Sequence, residues 1–236
     1  MKNQYFGDIR DLFKYDLISR ICQENALPKR VLFIPMLTEN DNNRDGNKND
    51  YSKAKAGVQN EKLKNFLDCC RKRDKRDVKE IESYFKSYGM EIHICYDKFI
   101  NRERGNYFNK IKEKSQFFSR SLIFLDPDNG LEIKNYNKKH LLYNEVEDLY
   151  TKMDAWSILM IYQQFPREPH IGYRCRRAKE LEIRTKNSPL QISDNEIVFF
   201  FLTKNEELKH QLELLLNKYK TKYPKLDETF TPTMCL

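Results

Sequence analysis

An α/β fold built on a doubly wound, mostly parallel sheet is what this 236-residue sequence predicts, on three observations. Short apolar runs of strand length alternate with longer segments of helical period, so crossover connections join the strands. The strand runs are apolar throughout instead of alternating, as in strands covered on both faces. Polar and acidic residues follow the runs directly, which puts any site at the C-terminal edge of the sheet.

The elements follow in order. Residues 8–23 place Ile9, Leu12, Phe13, Leu17, Ile18 and Ile21 at helical spacing, with Asp8 positioned as the cap. Residues 31–34 form the first apolar run, and 38–52, rich in Asn, Asp and Lys, read as a long exposed loop. Residues 60–88 are helical in pattern, with a break in the charged run 71–76 and a stop at Gly89. Strands at 91–96 and 121–126 flank a helix around 108–118, and the turn Pro127-Asp128-Asn129-Gly130 ends the second strand. A helix over 138–152, a strand over 156–162, a basic helix over 173–181 and a strand over 196–202 continue the alternation. The last helix, 206–219, carries Leu208, Leu212, Leu215 and Leu216 on one face. One domain over 1–223 is expected, with 224–236 as a C-terminal tail.

Composition sorts the function classes. Lys and Arg number 43 against 35 Asp and Glu, so the formal charge is +8. That surplus suits a polyanion such as nucleic acid, although a solubilising surface accounts for the same number. Mean hydropathy is −0.81. No apolar stretch reaches the roughly 18–20 residues that cross a bilayer. The first eight residues lack the apolar core of a secretory signal. No membrane partner and a cytoplasmic location are therefore expected. The six cysteines have no Cys-x-x-Cys spacing, which favours reduced thiols over a zinc site.

Two segments can carry chemistry. In Leu122-Ile123-Phe124-Leu125-Asp126-Pro127-Asp128-Asn129-Gly130-Leu131-Glu132, an apolar strand presents Asp126 at its edge, with Asp128 and Glu132 close behind. These carboxylates suit a substrate amine or a hard cation; a plain strand-ending turn is the competing reading. In Gly7-Asp8-Ile9-Arg10-Asp11-Leu12-Phe13-Lys14-Tyr15, helical spacing puts Asp8, Asp11 and Lys14 on one face, where a capped helix with a surface ion pair competes.

Gly7-Asp8-x-x-Asp11-x-x-Lys14-Tyr15 resembles the Gly-Asn-x-x-Asp-x-x-Lys-His signature of bacterial 23S ribosomal RNA adenine-N6 methyltransferases of the large subunit. Residues 122–129 fall where that family has an apolar strand ending in Asp-Pro-Pro-Tyr, and residues 197–202 with the Leu-rich helix look like its last strand and helix. The chain is also similar to a set of bacterial proteins that combine Tyr-Phe-Gly-Asp, Asp-Pro-Asp-Asn-Gly-Leu-Glu and Tyr-Gln-x-Phe-Pro-Arg; the last is Tyr162-Gln163-Gln164-Phe165-Pro166-Arg167 here. The resemblance implies a Rossmann-like S-adenosylmethionine methyltransferase fold. It also implies that Asp126 and the Pro127 carbonyl accept hydrogen bonds from a target amine on a flipped base. Asp128 and Asn129 complete that segment, Lys14 lies beside cofactor or substrate, and Gly7, Asp8 and Asp11 lie near the cofactor. This chain has Asp128 and Asn129 where the family has its second Pro and stacking aromatic, and it has no glycine-rich loop after the first strand.

Other constellations give further expectations. Asp41-x-Asn43-x-Asp45-Gly46 starts like a calcium loop, but Ser52 holds the twelfth position and no helix precedes it, so Asp45 is instead expected to reach the site. Gln164, Arg167, Arg174, Arg176 and Arg177 form a basic patch suited to phosphates, or a solvated face. Pro127-Asp128 with Glu132-Ile133-Lys134 gives a nuclease alternative, in which Asp126, Asp128 and Glu132 bind Mg2+ and Lys134 positions water. A non-catalytic nucleic-acid-binding protein on the same fold is the third reading.

Overall fold

The computed structural model describes residues 1–41, 46–73 and 75–226. Six strands, β1 (Arg30–Ile34), β2 (Glu91–Ile94), β3 (Ser121–Leu125), β4 (Ile158–Gln164), β5 (Leu190–Ser193) and β6 (Ile197–Leu202), make one sheet in the order β2-β1-β3-β4-β6-β5. The first four are parallel, and β6 runs antiparallel to both β4 and β5. The helices among the described residues are α1 (Ile9–Gln23), α2 (Glu61–Lys72), α3 (Ile81–Lys86), α4 (Arg104–Phe117), α5 (Tyr143–Lys152), α6 (His170–Thr185) and α7 (Glu206–Lys222).

The pleat explains why the strand runs are apolar throughout. Val31, Phe33, Leu122 and Phe124 point into one core with residues of α1, α2, α3 and α7. Their neighbours Leu32, Ile34, Ile123 and Leu125 point into the other, with residues of α4, α5 and α6. The sheet is thus covered on both faces, a doubly wound arrangement. After β1 the chain pairs β2 on one side of it and then β3 on the other, so the strand order reverses between β1 and β3. A crevice at the C-terminal ends of these two strands is where such sheets bind ligands.

Some boundaries differ from the sequence expectation. Strand β5 was not foreseen: it has four residues, all buried, and two of them are the polar Gln191 and Ser193. Helix α5 begins at Tyr143 and not at 138, because Leu141 pairs with Leu131 and extends the loop after β3. Leu226 still packs into the core at 4% exposure; residues 227–236 of the expected tail lie outside the described residues. Cys22, Cys69, Cys70 and Cys95 are free thiols, whereas Cys175 is disulfide-bonded, against the expectation that all six are reduced. No helix among the described residues is long and apolar enough to cross a membrane.

Candidate active site

The N-terminus of α1 is set by two carboxylates. Asp8 Oδ1 accepts from the Arg10 and Asp11 amides at 2.8 and 3.2 Å, capping the helix. Asp11 Oδ2 reaches back to the Gly7 amide at 2.9 Å. Gly7 sits at φ 83°, a left-handed conformation natural to glycine, and this aims its N–H at the carboxylate. The helix is buried around most of its girth, which removes the surface ion pair as an account of Lys14.

Lys14 Nζ donates to Asp11 Oδ1 at 2.9 Å and to Asp126 Oδ2 at 2.7 Å. The second bond joins residues 112 apart in sequence and brings the two candidate segments together at the end of β3. All three residues are at least 96% buried. Burial by itself would lower the Lys14 pKa, but the Asp11 and Asp126 carboxylates hold it well above its usual value. Burial pushes Asp11 up to about 7, with Lys14 pulling it down and Asp8 pushing it further up.

These groups line a cavity of about 490 Å³ at the β1–β3 crevice. One end holds Asp8, Asp11, Arg10 and Lys48; the other holds Asp126 through Asn129 with Lys139, Tyr162 and Gln164. Four carboxylates therefore meet four cations, and Glu196 pairs with both Arg10 and Lys48 from the side. The cavity is close to neutral although the chain carries +8. Sequence reasoning did not single out Tyr5, Arg10, Lys48, Lys139 or Tyr162 as site residues, yet all five line it. The segment containing Lys48 is pinned over α1 by an Ile9 N–H to Lys48 O bond of 2.7 Å, a long-range pairing without a local signal.

The remaining candidates divide. Pro127, Asp128, Asn129 and Gln164 share the cavity, while Gly7 lies behind it and holds Asp11. Asp45 lies outside the described residues. Glu132 is not brought to Asp126 and Asp128: its Oε2 accepts from the Tyr143 amide at 2.7 Å, and it lines a separate pocket with Lys134. No group of three His, Cys, Asp or Glu able to hold a metal occurs among the described residues. That separation removes the triad on which the Mg2+ alternative rested.

The arginine patch is not an open phosphate surface. Arg174 is buried and bonded to Ser193 Oγ. Arg177 is buried and donates to Glu132 O at 2.6 Å and to the Tyr143 hydroxyl at 3.1 Å. Arg176 is bidentate to Glu168 at 2.9 Å, and only Arg167 stands exposed at the edge. Two of these guanidiniums thus serve as internal connectors, a use that a basic helical pattern does not announce.

What the cavity can do follows from this geometry. A buried carboxylate, held by a buried ammonium at the rim of a water-sized opening, is a fixed acceptor for an N–H donor. Compared with known proteins, the chain matches no family model and no curated protein.

Proposed function

We propose that the chain is an S-adenosylmethionine-dependent methyltransferase acting on an exocyclic amine of a nucleic-acid base, with Asp126 as the amine acceptor. The observation that carries this reading is the Lys14–Asp126 bond inside the cavity, since it unites the two segments on which the methyltransferase resemblance rests. The six-stranded order with its antiparallel β6 is compatible with a Rossmann-like sheet.

The donor set fits the cofactor at one end of the cavity only. Over β1 the crevice is filled: the Met1 nitrogen lies 3.2 Å from Met36 O and 3.3 Å from Asp126 O, and Met36 is buried. At the α1 end, Asp8 and Asp11 suit a cationic sulfonium or ammonium, and Arg10 and Lys48 suit a carboxylate. When bound, S-adenosylmethionine supplies an electrophilic methyl group. Asp126 and the Pro127 carbonyl orient the amine lone pair, which forms the new N–C bond as the S–C bond breaks. Lys14 keeps the Asp126 carboxylate in place, and the proton lost from nitrogen passes to that carboxylate and then to water. Tyr5 and Tyr162 offer the aromatic surface that Asn129 does not.

Calorimetric titration with S-adenosylmethionine, followed by labelled-methyl transfer to RNA and DNA, tests this reading. Binding that Asp8→Asn weakens, with transfer cut about 10²–10⁴-fold by Asp126→Asn, is the expected result. Absence of cofactor binding by the folded protein would leave the non-catalytic binding function instead.

A further inference from the structure

Asp128 is the feature of the cavity that an adenine-directed site does not use. Its side chain is only 6% exposed, yet its Oδ2 has no hydrogen-bond partner. Lys139 Nζ stands 3.4 Å from that oxygen without bonding to it. Buried carboxylate oxygens are normally satisfied, so an orphan facing an open cavity points to a ligand that brings the donor. Along the cavity wall the order is a cation at Lys139, an acceptor at Asp128 and a second acceptor at Asp126.

Resting on the methyltransferase reading, we propose that the acceptor base is guanine, bound by its Watson–Crick edge, with N2 as the methylated nitrogen. That edge runs O6, N1–H and N2–H: one acceptor followed by two adjacent donors. Lys139 donates to O6, Asp128 accepts from N1–H, and Asp126 accepts from the reacting N2 amine. Adenine and cytosine place a ring-nitrogen lone pair beside their amine, and that lone pair would face the Asp128 oxygen. This opposes two acceptors in a desolvated space, and such mismatches are strongly discriminated. The methyl passes from sulfur to N2, and one N2 proton leaves through Asp126.

Nucleoside binding measured by calorimetry, without any methyl donor, tests the assignment. Guanosine should bind roughly tenfold to a hundredfold more tightly than adenosine or cytidine. Inosine, which keeps N1–H but lacks the amine, should fall between guanosine and adenosine; 2-aminopurine riboside, which keeps the amine but presents a lone pair at N1, should bind no better than adenosine. Asp128→Asn, nearly isosteric, should lose the guanosine preference and gain affinity for adenosine, because its amide can donate to N1. A purely structural role for Asp128 would weaken all nucleosides alike. Equal binding of guanosine and adenosine, retention of the preference in Asp128→Asn, or no nucleoside binding at millimolar concentration would each overturn the proposal. Failure of S-adenosylmethionine binding, by contrast, overturns the methyltransferase reading and leaves the nucleoside series to be read on its own.

Discussion

Replacing Lys14 by Met removes an ammonium and leaves Asp11 and Asp126 in a buried space with Asp8 nearby. Breaking a buried ion pair from one side typically costs about 3–5 kcal/mol, so Lys14→Met should lower the urea midpoint by that equivalent. Adding Asp11→Asn to Lys14→Met should recover part of the loss, because one of the stranded charges is gone; no recovery would show that Lys14 contributes through packing alone. Asp11 also sets a pH dependence. Its folded pKa of about 7 lies above its ordinary 3.8, so between these values the folded protein holds a proton that the unfolded chain has released. The stabilisation is therefore fully present below about pH 3.8 and is lost as pH rises through 7. Stability measured by urea from pH 5 to 8 should decline less steeply in Asp11→Asn than in the unaltered protein. An unchanged slope would assign the decline to another group.

The turn after β3 and the strand β4 are interlocked. Gly130 sits at φ 81°, and a Cβ there would stand 2.4 Å from the Gln163 amide. Gln163 in turn accepts from the Leu131 amide at 2.7 Å and donates to Gln164 O at 2.7 Å. Gly130→Ala should thus cost more than about 2 kcal/mol through the strained backbone and the clash together. In a Gln163→Ala background the clash is gone and only the backbone cost remains, so a double-mutant cycle should show coupling. Additive losses would mean that φ alone sets the cost. The same pair shows what a sequence reveals at this scale. Asp-Asn-Gly marks a turn through local chemistry, and Leu122 to Leu125 mark a strand through their apolar character, but only the fold shows that Gly130 must clear Gln163. Likewise β5 was illegible because burial of Gln191 and Ser193 depends on its pairing with β6. The face shared by Asp8, Asp11 and Lys14 was legible as helical spacing. That it points inward, toward Asp126, was not, since a polar stripe usually faces water.

Across the whole molecule, the acidic residue that faces away from the cavity ties the chain together. Asp16 is fully buried one turn and a half beyond Asp11 on α1. Its Oδ1 accepts from Asn60 Nδ2 at 2.8 Å, and its Oδ2 accepts from the Tyr219 and Tyr223 hydroxyls at 2.9 and 3.2 Å. Asn60 caps α2, and the tyrosines end α7, so one carboxylate fastens three helices on one face of the sheet. Burial, with Asp16 beside it, raises the Tyr219 pKa well above its usual value, so that hydroxyl stays a donor across the working pH range. Charge-assisted bonds of this kind contribute about 1.5–3 kcal/mol each, and they are not additive when they share an acceptor. Tyr219→Phe should therefore destabilise by roughly 1–3 kcal/mol, and Asp16→Ala by more, because it strands three donors at once. The position of α1 also fixes Lys14 against Asp126, so the loss should reach the site. Tyr219→Phe should broaden hydrogen exchange protection of the α1 amides before the sheet amides lose theirs. If α1 and the sheet lose protection together, the helix layer and the sheet open as one unit, and the fastening by Asp16 does not set the local stability of the site.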